Sequence, residues 1–211
     1  MRFFAGFLVG LLVVAAAAAI VAASGTYNLA AVNPPGKMET QLATFALNKS
    51  VAKRAPAGKN PLAASPDVLR EGLAHYKENC VVCHGAPGVD VSELGQGLNP
   101  PAPDLTLPRV QARPDGQIFW IVSNGIRMTG MPAFSPTHKQ DEIWKLVAFV
   151  RHLEEITPAE QQALKAATEE AEHHHEAEGA GAKPEGKDEE KPAGEKKPGH
   201  THPPGTKPHK D

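Results

Sequence analysis

Two cysteines separated by two residues and followed at once by a histidine constrain this chain more than any other feature. The stretch is Cys80-Val81-Val82-Cys83-His84, and C-x-x-C-H is the covalent attachment pattern for c-type haem. Each sulfur can add across one vinyl group of the porphyrin, and His84 stands next to them as a proximal iron ligand. The chain has 2 cysteines in all, so none is left for a disulfide or for a second attachment of this type. One covalently bound haem c is therefore expected. A zinc site would need two further ligands, normally a second C-x-x-C or a spaced histidine pair. The histidine clusters instead lie far off, toward the C-terminus. A thioredoxin-like redox pair would sit in a βαβ context, and no strand-rich pattern surrounds these residues.

The flanks are of a different kind. With 20 prolines, 19 glycines and 5% aromatic residues in 211, the chain is expected to hold a small core between long irregular segments. A formal net charge of −2 gives no case for a nucleic-acid partner. Residues 3–23 form an uncharged apolar run preceded only by Met1 and Arg2, long enough to cross a bilayer at about 20 residues. A cleaved signal peptide is the alternative, with Val21-Ala22-Ala23 before Ser24 as its small-residue site. The apolar part of such a peptide usually runs about 7–15 residues, so length favours the anchor. Either way the chain is exported, and Arg2 favours a cytoplasmic leading end. Residues 1–24 are thus an anchor or signal peptide. Residues 25–64 are expected to be a solvated membrane-proximal linker, helical near 38–51, with a basic patch at Lys49, Lys53 and Arg54 for a partner subunit or lipid head groups.

Helix signals begin at Ser65-Pro66-Asp67, which combine an N-cap, a first-turn proline and an acid at the positive dipole end. Val68, Leu69, Gly72, Leu73 and Tyr76 follow on one face, and Gly72 points to a close helix–helix approach. Residues 86–114 are rich in proline and glycine. Asn99-Pro100-Pro101-Ala102-Pro103 cannot be helix, and a proline carbonyl there could orient the second ring nitrogen of His84. A short helix starts at Pro114-Asp115 and stops at Asn124-Gly125. The loop after it carries Met128 and Met131. Downstream of a haem-attachment motif a thioether is the natural sixth ligand, and Met131, between Gly130 and Pro132, is the better-supported of the two. Thr137 and Gln140 form a capping box for a helix with the stripe Ile143, Leu146, Val147, Val150 and Leu153. Thr157 and Glu160 form another, leading into an alanine- and glutamate-rich helix expected to be solvated or marginal.

From about residue 171 the composition cannot bury a core, so residues 157–211 are read as a helical extension and a disordered tail. His173, His174, His175, His200, His202 and His209 give that tail a possible affinity for transition metals.

These residues resemble a bacterial class I monohaem cytochrome c over 65–156. The resemblance rests on Gly72 and Tyr76 leading into C-V-V-C-H-G, then N-P-P-A-P-D-L, N-G-I-R-M-T-G-M-P-A-F and D-E-I-W-K-L-V-A-F-V-R-H-L. It implies an all-α fold around one haem carried by Cys80 and Cys83, with His84 proximal and Met131 distal. It also implies that the first and last helices cross near Gly72, with an aromatic such as Phe149 at the contact. The expected function is one-electron transfer, not enzymatic turnover, in an exported respiratory or photosynthetic chain. The partners would be redox proteins or subunits of a membrane complex, and Arg109, Arg113, Arg127 and Lys139 would favour an acidic one. The bacterial inner membrane, haem domain toward the periplasm, is the expected location, or the soluble periplasm if the leader is cleaved. The rival functions are a ligand-binding, sensing or catalytic haem subunit with a labile methionine, and a metal-handling subunit using the tail.

Overall fold

The computed structural model describes residues 2–179, with side chains to residue 171. Helices α1 (Arg2–Ala23) and α2 (Lys37–Arg54) precede α3 (Pro66–Asn79), α4 (Val81–His84), α5 (Glu93–Gln96), α6 (Pro108–Gln111), α7 (Asp115–Asn124), α8 (Gln140–His152) and α9 (Pro158–Gly179). Among the described residues the only β pairing is a single bridge between Ala86 and Val89. The fold is all-α, as expected.

The crossing of α3 and α8 organises the domain. Ser65 caps α3 by accepting a hydrogen bond from the Val68 N–H at 3.3 Å. One turn on, Gly72 is buried against α8, where a Cβ would come 2.8 Å from that of Phe149 and closer still to the Lys145 carbonyl oxygen. Only hydrogen fits there. The close approach lets Tyr76 and Phe149, both fully buried, meet with ring centroids 5.3 Å apart. The expected stripe of α8 joins them: Ile143, Leu146, Val147, Val150 and Leu153 are all core residues. Trp144 stacks on Phe119 of α7, centroids 4.1 Å apart.

Three local expectations change. Thr137 and Gln140 do not cap α8, which starts only at Gln140. Buried Phe134 offers its carbonyl to the Thr137 and His138 N–H groups, holding residues 134–138 in a turn of their own. Lys139 then occupies the N-cap position, and its N–H is taken by Glu142 Oε2 at 2.7 Å. Residues 25–64 are not simply a solvated linker. Val51 of α2 is fully buried, Arg113 donates to Asn48 Oδ1 at 2.7 Å, and Asn60 bonds both Asp115 and the Trp144 carbonyl.

Nor is α9 marginal over its first turns. Its capping box forms as expected, with Thr157 and Glu160 exchanging bonds, and Leu164 and Ala167 then enter the core. Two apolar residues at i and i+3 suffice for a narrow contact with α3 and α4, which the sparse stripe in the sequence understated. Side chains of His173, His174 and His175, and all of His200, His202 and His209, lie outside the described residues.

Candidate haem site

Cys80, Cys83 and His84 sit where α3 passes into α4, and the chain is folded back onto them from several sides. Cys80 closes α3 with its N–H on the Tyr76 carbonyl at 2.9 Å. Gly85 then reverses the chain at φ +60, and its carbonyl accepts from the Tyr76 hydroxyl at 2.7 Å. Ser92 returns to Val82, donating to its carbonyl from both N–H (3.0 Å) and hydroxyl (2.8 Å). At Gly95 a Cβ would lie 2.6 Å from the Val82 oxygen and 3.1 Å from the Cys83 Cα. The loop can therefore press against the motif only with glycine there. Ser92 and Gly95 were missed in the sequence, although a serine one residue before Glu93 is an N-cap signal.

The two cysteines, His84 and Met131 all line one cavity of about 370 Å³. Most of its wall is apolar, with Leu98, Leu105, Ile118, Val122, Phe134 and Leu146 among the contributors; Arg109 and Arg113 supply its positive charge. Thr44 and Leu47 of α2 also face it, a contribution for which the sequence held no local signal. Burial, and then the neighbouring Cys83, push the Cys80 thiol up to about 12, and burial also raises Cys83. Both thiols are partly buried, and this burial favours the neutral form over the thiolate.

His84 is oriented by the Pro103 carbonyl, 2.8 Å from its Nδ1, which identifies the proline left open by the sequence. The tautomer with hydrogen on Nδ1 leaves Nε2 with a free lone pair, the usual arrangement behind a ligating imidazole. Burial lowers the histidine's affinity for a proton, and the Pro103 bond partly opposes that. After α7, Gly125 turns the chain at φ +65, where a side chain would strike the Met131 carbonyl. The Ile126 N–H closes on that same carbonyl at 3.1 Å, and the Met131 N–H donates to the Thr129 hydroxyl. Met131 is thereby pinned at both ends. Met128, at φ +62 and 92% exposed, faces away from the core. A flat, largely apolar tetrapyrrole fits this lining: two cysteines, a histidine and a methionine among mostly apolar side chains.

Fold and site together define a class I c-type cytochrome domain. Residues 67–150 match the family model described as cytochrome c oxidase, cbb3-type, subunit III. Comparison with curated proteins gave no match. The match supports haem-based electron transfer as the role of the domain.

Proposed function

We propose that the chain is a membrane-anchored one-electron carrier with a single haem on Cys80 and Cys83, His84 and Met131 being the axial ligands. The observation that carries this reading is the shared cavity. A nitrogen oriented by Pro103 and a methionine whose backbone is held by Thr129 and Ile126 line the same cavity as both cysteines. Haem bound there would supply a one-electron iron couple, raised in potential by histidine–methionine ligation.

The protein's own part is to hold two ligands without large rearrangement, exclude water with an apolar wall, and leave an edge for a partner. Were His84 and Met131 both to ligate the iron, no position would be left for a substrate, which favours transfer over turnover. The likeness to cbb3-type oxidase subunit III supports membership of a membrane oxidase complex. Helix α1, with mean hydropathy 2.7 and none of its span buried, would anchor it in a bacterial inner membrane with the haem domain in the periplasm.

The test is an optical spectrum of the exported protein, oxidised, reduced, and reduced under carbon monoxide. A c-type spectrum that carbon monoxide leaves unchanged is expected. A prompt shift would show an open or labile sixth position and move the reading to ligand sensing or catalysis.

A further inference from the structure

Helix α2 has two apolar faces. Thr44, Leu47 and Val51 turn toward the haem domain. Met38, Leu42 and Phe45 recur at i, i+4, i+7, and at about 100° per residue they fall on roughly the opposite side. There they are 75%, 63% and 63% exposed. A helix packed on one face and apolar on the other is built to lie between two surfaces.

The second surface is indicated by how α2 is joined to α1. The connection does not run straight away from the apolar helix: Gly25 turns it at φ +66. Tyr27 and Leu29 then form a groove with Val14, Ala17, Ala18, Val21 and Ala22 of α1. The Tyr27 hydroxyl donates to Glu39 Oε2 at 2.8 Å, tying the first turn of α2 to this fold-back. The Asn99 side-chain amide in turn holds the Ala31 and Asn33 carbonyls to the haem loop. The start of α2 is thus kept at the end of α1.

Charge completes the pattern. Lys49 lies over the Phe45 ring, 5.6 Å from its centroid, and Lys53 and Arg54 follow in the last turn. Long cationic side chains bordering an apolar stripe can bury their stems and place their charges among anionic head groups.

We propose that α2 is an interfacial helix whose Met38–Leu42–Phe45 stripe enters an anionic lipid bilayer beside α1 and seats the haem domain against it. This rests on the reading of α1 as a membrane span. The full-length, haem-loaded protein is reconstituted in phosphatidylcholine–phosphatidylglycerol vesicles whose acyl chains carry a diazirine. After irradiation, labelled peptides are located by mass spectrometry. Label is expected in α1 and across residues 38–45. The M38S/L42S/F45S variant is expected to lose it at 38–45 while keeping the α1 label and its visible spectrum. Label in α1 with none at 38–45 of the parent protein overturns the proposal and leaves the span intact; a stripe reserved for a protein partner gives that result. Label at 38–45 that survives the three serines also overturns it. Absence of label from α1 removes the span and the proposal together.

Discussion

At the scale of single residues, the two methionines separate the site from its surroundings. Both lie in one loop three positions apart, and composition treats them alike. The backbone does not: Met131 is bonded through its N–H to Thr129 and through its carbonyl to Ile126, whereas Met128 sits exposed at positive φ. Replacing Met131 by alanine is expected to lower the reduction potential and make the reduced protein bind carbon monoxide. Met128→Ala should leave both unchanged. A redox titration with a carbon monoxide spectrum for each variant checks this, and the reverse pattern would transfer the ligand role to Met128. The orienting of His84 belongs to this scale too. That a proline carbonyl would serve was readable from the run of prolines after the motif, but Pro103 was selected by the three-dimensional path of the loop.

Between elements, the decisive contact is α3 on α8. Gly72→Ala would gain about 1 kcal/mol of helix propensity. Its new methyl group would meet the Lys145 carbonyl and the Phe149 Cβ, and a helix backbone cannot step aside as a flexible side chain can. Overpacking of this kind costs about 3 kcal/mol at the upper end of its range, so a net loss of about 2 kcal/mol is expected. Urea denaturation followed by far-UV circular dichroism measures it, and unchanged or increased stability would show that the helices tolerate a wider separation. The same element scale explains the missed packing of α2 and α9. Each commits only a few residues to the domain, Val51 from one and Leu164 with Ala167 from the other. A stripe that narrow scarcely alters the pattern of a mostly polar helix.

Across the whole molecule, Arg151 joins parts distant in sequence. From the end of α8 it donates to Asp115 Oδ1 through Nε at 2.8 Å and Nη2 at 2.7 Å. It also reaches the Gln111 and Arg113 carbonyls, so one guanidinium fastens α6, α7 and their connection to the core. Burial by itself would raise the Asp115 carboxyl. The Asn60 N–H and Arg151 more than offset this and hold it below the ordinary carboxylate value. A depressed folded pKa favours the folded state above the unfolded value, and this stabilisation is lost as pH falls through the folded one. Acidification from about pH 7 to about pH 3 should therefore lower the urea midpoint, and Asp115→Asn should shrink that drop. An equal drop in the variant would place the acid sensitivity elsewhere, with Glu160 the next candidate. Its carboxyl is also depressed, burial being outweighed by Thr157 and His152.

The motif at the centre of the candidate site was legible in the sequence alone, because its residues, C-V-V-C-H, are adjacent along the chain. The helices of α3, α7 and α8 were legible for a similar reason: caps, apolar period and breakers all act within a few residues. Tertiary structure decided what depends on contacts between distant segments. It placed Pro103 behind His84, Gly95 against Cys83, Arg151 on Asp115 and α2 beside the cavity. Each of those pairings is between residues whose sequence separation carries no periodic or motif signal. Only the fold brings them within hydrogen-bond or van der Waals reach.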